Sequence, residues 1–193
     1  YNWKEEFFKF NPKLQTLPVD GTPNQRKKLL NDIKDFDVII TSYSLLQKDI
    51  EFYKKVAFGY CILDEAQAIK NRGTRNAKSV KMLQAKHRLI LTGTPIENSL
   101  DELWSLFDFL MPGLLSSYDR FLEKYIRNPN TKTGNNLDVL RRKISPFILR
   151  RMKKDVLSEL PAVSEIIYRC HLSEVQQELY QSYAKTAREE LSN

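Results

Sequence analysis

The stretch "YCILDEAQAIKN", residues 60–71, decides how this chain is read. Tyr60 to Leu63 form an apolar run, and two adjacent acids, Asp64 and Glu65, follow at once. A continuous apolar run suits a strand buried on both faces of a parallel sheet. Two carboxylates at its carboxyl end then need a reason. One is an acidic cap on the next helix. The other is a nucleotide site. There, one carboxylate holds a hydrated divalent cation and its neighbour orients a water and takes its proton.

Working outward, the same strand signature recurs. "DVIIT" (37–41) and "RLILTG" (88–93) are apolar runs bounded by polar residues. Helical segments lie between them. Thr22, Pro23 and Gln25 make a capping box that opens a helix to about Lys34. A helical stretch covers roughly Tyr43 to Lys54, and another falls within residues 71–86 after Gly73-Thr74. Ser99 and Glu102 open a helix whose stripe is Leu100, Leu103, Trp104, Phe107, Leu110 and Met111, stopped by Pro112-Gly113. This alternation predicts an α/β fold with a parallel sheet, whose ligands bind at the carboxyl ends of the strands.

Composition bounds the reading. Apolar residues at 41% and aromatics at 11% are too many for a disordered chain. No apolar run is long enough to span a membrane, and the start, "YNWKEEFFKF", is not a signal peptide. Two isolated cysteines, Cys61 and Cys170, point to a reducing compartment, and His87 and His171 lack metal-ligand spacing. The net charge of +7 is local. Segment 141–154, "RRKISPFILRRMKK", holds seven basic residues and no acid, and elsewhere the charges balance. Such a run fits a phosphate backbone, an acidic partner or a solvated linker face.

The second strand end, "LTGTP" (91–95), sharpens the choice at Asp64-Glu65. It sets two hydroxyls, Thr92 and Thr94, beside Gly93, 28 residues beyond Asp64. An acidic pair and a hydroxyl pair on successive strand ends suit a Walker B element and a loop that reports its state.

On these residues the chain resembles the Swi/Snf-type DNA translocase ATPases of helicase superfamily 2. "NWKEEFFKF" is similar to the tail of motif Ia, "DVIITSYSLL" to the Ib region, and "ILDEAQAIKN" to motif II, here a DEAQ box. "HRLILTGTPIENSLDELWSLFDFLMPG" is similar to motif III with its following helix, and "FILRRMKKDVLSELP" to the segment joining the motor lobes. Gln67 stands where the family usually has His, a subfamily variation. The resemblance implies an incomplete RecA-like lobe of a P-loop NTPase over 1–113. A helical protrusion and inter-lobe linker would cover 114–160, and the start of a second lobe, a strand near 164–170 and a long helix capped by Ser173 and Gln176, 161–193.

It further implies ATP and Mg²⁺ as nucleotide and metal. Asp64 would hold the metal through water, Glu65 would activate water, and Gln67, Thr92 and Thr94 would couple nucleotide state to lobe motion. The implied partner is double-stranded DNA, bound without regard to sequence. Thr41 and Ser42 would touch its backbone, and Arg150, Arg151, Lys153 and Lys154 would contact DNA or brace the lobes. None of the six glycines is followed by Lys, so the G-K-[ST] phosphate cradle is missing. With no initiator Met, the chain reads as a fragment of a longer motor, inactive alone, whose cradle precedes Tyr1 and whose arginine fingers follow Asn193. The rival reading is a non-enzymatic module with a motor-like fold that docks DNA or protein. Localisation would be cytoplasmic and nucleoid-associated in a bacterium, or nuclear in a eukaryote. The strand 88–92 should lack a neighbour, so copies of the fragment should self-associate.

Overall fold

The computed structural model describes residues 2–93, 99–131, 134–151, 168 and 171–191. The chain divides into two units, Tyr1–Phe147 and Ile148–Asn193.

Two parallel strand pairs position the first unit. β1 (Thr16–Pro18) and β2 (Val38–Ile40) pair in register Leu17 to Ile39, with helix α2 (Pro23–Asn31) between them in sequence. β3 (Ala57–Leu63) and β4 (Gln84–Ile90) pair from Ala57–Gln84 to Leu63–Ile90. Helix α5 (Arg75–Lys81) joins them. Parallel neighbours need such a crossover, because the chain must return to the same end of the sheet before pairing again. The expected mixed α/β fold with parallel pairing is present.

Local signals set most helix starts. The Thr22–Gln25 capping box forms in both directions at the head of α2. Ser42 caps α3 (Tyr43–Lys48), which is followed by α4 (Ile50–Tyr53), and Thr74 caps α5. Ser99 accepts from the Glu102 amide at the start of α6 (Leu100–Leu110), and Gly113, at φ 87°, turns the chain beyond it.

Three expectations need correction. The third strand starts at Gln84, not Arg88, and α5 stops at Lys81, because pairing with Ala57 and Phe58 draws Gln84 and Ala85 into the ladder. Likewise β3 starts three residues before Tyr60. Nor are the strands buried on both faces. On β3 and β4, Cys61, Leu63 and Ile90 pack inward, whereas Tyr60, Ile62 and Leu89 are 68%, 50% and 47% exposed. The Tyr60 ring stacks on His87 at 4.7 Å on this open face. Two further elements carried no readable pattern: β1 is too short, and α1 (Asn2–Phe10) buries no residue.

Helix α6 is shared between two cores. Leu106 and Phe109 join the sheet core with Val19, Ile69 and Val80. Leu103, Trp104 and Phe107 join a second core with Leu115, Phe121, Tyr125, Leu140 and Ile144. That second core is built from α7 (Tyr118–Phe121), a π turn (Leu122–Arg127) and α8 (Asn136–Ile144), with the small hairpin of β5 (Asn130–Thr131) and β6 (Gly134–Asn135) beside it. The predicted stripe therefore covers only part of what α6 buries, since Leu106 and Phe109 face the sheet. In the second unit, α9 (Glu174–Leu191) starts from a capping box of Ser173 and Gln176. The strand expected near 164–170 lies outside the described residues, Tyr168 excepted. Among the described residues no helix is long and apolar enough to cross a membrane.

Candidate active site

The site is built where β3 and β4 end together. Beyond the ladder the Leu91 amide donates to the Leu63 carbonyl at 2.8 Å, and the Ala66 amide donates to the Leu91 carbonyl at 3.1 Å. These two bonds carry the parallel pairing past both strand ends. They set Asp64 and Glu65 beside Thr92.

Asp64 is held at three points. Its Oδ1 accepts from the Glu65 amide at 2.9 Å, and its Oδ2 accepts from the Trp3 indole at 2.8 Å. Its main-chain carbonyl accepts from the Tyr43 hydroxyl at 2.8 Å. Asp64 also lines a cleft of about 450 Å³ against α1, with Trp3, Phe7, Phe10 and Leu14. Glu65 adopts a left-handed conformation, φ 48° and ψ 53°, which is unusual for a residue with a side chain. From there its Oε2 accepts from Gln67 Nε2 at 2.7 Å, and Gln67 Oε1 accepts from Thr92 Oγ1 at 3.2 Å. The turn carrying Gln67 (Ala66–Ile69) is anchored by buried Ala66 and Ile69, and the buried Ser105 hydroxyl donates to the Ile69 carbonyl at 2.8 Å.

The structure thus brings Asp64, Glu65, Gln67 and Thr92 into one hydrogen-bonded group. Thr94 lies outside the described residues. Thr41 donates to the Val19 carbonyl at 3.4 Å, and exposed Ser42 accepts from the Leu45 amide at 3.4 Å. Arg150 and Arg151 are exposed and belong to the second unit, and Lys153 and Lys154 lie outside the described residues. Trp3 and Tyr43 escaped the sequence reading. Neither stands in a spacing that points to Asp64, from which they are 61 and 21 residues away.

Asp64 is suited to a hydrated cation. A carboxylate offers about four acceptor positions, and the protein bonds described above use two of them. Among the described residues no three His, Cys, Asp or Glu side chains converge on a metal position. A cation taken by one carboxylate, water and substrate phosphates fits that donor set, and Mg²⁺ behaves in this way.

The SNF2-related domain family matches residues 1–193. The chain belongs to that family. It is 41% identical to the TATA-binding protein-associated factor MOT1 of Saccharomyces cerevisiae over 196 residues, covering 95% of this chain and 10% of that protein. It is 39% identical to the human chromatin-remodeling ATPase INO80 over 197 residues, covering 94% of this chain and 13% of that protein. Among solved structures it is similar to the Sulfolobus solfataricus SWI2/SNF2 ATPase core in complex with dsDNA, at 44% identity and a TM-score of 0.70. That match covers 83% of this chain and 33% of the other. It is also similar to the Sulfolobus solfataricus SWI2/SNF2 ATPase core domain, at 39% identity and a TM-score of 0.63, covering 96% of this chain and 38% of the other. The fold is the RecA-like α/β fold of that core, and the chain spans about a tenth of the length of these curated relatives.

Burial pushes the Tyr43 hydroxyl up to about 12 from its ordinary 10.0, helped by the negative charge of Asp64. Burial likewise lifts Tyr53 to about 12. Both protons are held more tightly folded than unfolded. Their contribution to stability is therefore complete below about pH 10 and is lost as pH rises through about 12. Urea unfolding midpoints of the chain should fall over that window, and more gently in a Tyr43→Phe, Tyr53→Phe double variant. An equally steep fall in both proteins contradicts the assignment.

Proposed function

We propose that the protein containing this chain is an ATP-driven motor on double-stranded DNA. The observation that carries the reading is the closed group at the strand ends, Thr92 to Gln67 to Glu65 beside Asp64. It gives phosphoryl transfer what it needs: an acid for the metal, and a second carboxylate fixed by a neighbour that also touches the next strand. Family membership and the likeness to an ATPase core in complex with dsDNA support it.

In this reading Asp64 holds Mg²⁺ through water, and the ion, when bound, neutralises charge on the nucleotide phosphates. Glu65 orients the attacking water and takes its proton. Gln67 keeps one Glu65 oxygen engaged and so aims the other, while Thr92, with Thr94, relays the state of the site to the moving lobes. Thr41 and Ser42 meet the DNA phosphate backbone, together with Arg150, Arg151, Lys153 and Lys154, or else that basic run braces the lobes. Contacts to phosphate make binding indifferent to sequence. The motor works wherever the DNA is, in the nucleus of a eukaryote or the cytoplasm of a prokaryote. No Gly-Lys-[Ser/Thr] element occurs in these 193 residues, so we assign the phosphate cradle to another part of the protein.

The test is phosphate release by the intact protein with two duplexes of unrelated sequence, at several salt concentrations. Both duplexes should stimulate turnover alike. Their affinity should fall with salt by a log–log slope of about −0.9 per phosphate contacted. Glu65→Gln should lower the rate by about 10²–10⁴-fold while ATP still binds. The 193-residue chain alone should release none. Absent stimulation, a strong sequence preference or robust turnover by the chain alone contradicts the reading.

We also propose that copies of the 193-residue chain associate through β4. Among the described residues β4 pairs with β3 alone, and Tyr60, Ile62 and Leu89 lie open beside it. Light scattering should show mass rising with concentration, and a constant monomer mass contradicts this.

A further inference from the structure

We propose that Tyr43 is a positioning residue that couples the proposed DNA-contact segment, Thr41–Ser42, to the aim of Glu65. The inference rests on the motor reading above and names the strut within it.

Tyr43 follows Ser42 directly, so any shift of Ser42 is passed on through one peptide. Its hydroxyl ends on the Asp64 carbonyl, at 2.8 Å. That carbonyl belongs to the peptide that joins Asp64 to Glu65. Rotating this peptide changes the φ of Glu65, which stands at 48°, where a residue with a side chain stays only when its neighbours hold it. The Tyr43 bond is one such hold. The ring packs against the sheet core, so the hydroxyl is carried on a fixed arm rather than a free one.

A second tie runs from the other end of the same helix. Gln47 on α3 donates to Asn76, and Asn76 donates to the Ala68 carbonyl in the turn that carries Gln67. Helix α3 therefore grips the acidic loop at two points, before Glu65 through Tyr43 and after it through Gln47 and Asn76. A short, rigid helix held this way moves as one piece. A pull on Ser42 reaches both sides of Glu65 together. A rearrangement confined to one side would only bend the loop.

The experiment uses the intact protein with Tyr43→Phe, which removes the hydroxyl and keeps the ring, and Gln47→Leu, which cuts the second tie at similar volume. Four quantities are measured: turnover with and without duplex DNA, KM for ATP, DNA affinity and melting temperature. In each variant the ratio of DNA-stimulated to unstimulated turnover should fall by about two- to tenfold, the range a single hydrogen bond supports. KM for ATP and DNA affinity should stay near the wild-type values. An unchanged ratio overturns the coupling role, and so does an equal loss of both rates, which marks Tyr43 as structural support only. If wild-type protein shows no DNA stimulation, the motor reading and the coupling fall together. If it is stimulated and the variants keep its ratio, the coupling alone fails.

Discussion

The parallel register of β3 and β4 is the constraint from which the site follows. Leu63 faces Ile90, and two main-chain bonds, Leu91 to Leu63 and Ala66 to Leu91, extend the pairing beyond both strands. A slip of one residue would turn the inward set, Cys61, Leu63 and Ile90, to the open face and bring Tyr60, Ile62 and Leu89 inward. It would also part Gln67 from Thr92, whose contact depends on both strands ending level. Packing of Leu63 and Ile90 against the core therefore fixes the geometry of the acidic loop as well as the fold.

The far side of that core depends on α6. Arg88 on β4 donates to the Phe109 carbonyl at 2.7 Å and to the Leu83 carbonyl at 3.0 Å, so the strand is tied to the helix by polar as well as apolar contacts. Phe109 is fully buried there, while Trp104 and Phe107 on the same helix belong to the second core. Ser105 bonds the carbonyl of Ile69, at the end of the Gln67 turn. One helix thus carries part of the second core and braces the acidic loop.

What could be read in the sequence was what depends on neighbours along the chain. The caps at Thr22, Ser99 and Ser173 are local patterns of a hydroxyl and a residue three positions on, and the structure forms all three. Asp64, Glu65 and Thr92 were legible because they follow apolar runs whose ends had to lie together in a parallel sheet, whereas Gln67 stood out only through the family resemblance. The starts of β3 and β4 were not, because Ala57 and Gln84 become strand residues only by pairing with each other. Trp3 and Tyr43 were invisible for the same reason: their bonds to Asp64 join residues with no periodic relation. The missing neighbour expected beside 88–92 agrees with exposed Leu89, whereas the open side of β3 at Tyr60 and Ile62 was not legible, because an apolar run alone does not show which of its faces stays uncovered.

Amide hydrogen exchange at Ala66 and Leu91 tests the central claim most directly, that strand pairing continues past Leu63 and Ile90 and so places the acids beside Thr92. The account predicts that both amides are protected, to the same degree as those within β3 and β4, and open with them in one cooperative event. Exchange of Ala66 and Leu91 at the rate of a free loop, while β3 and β4 stay protected, would contradict it.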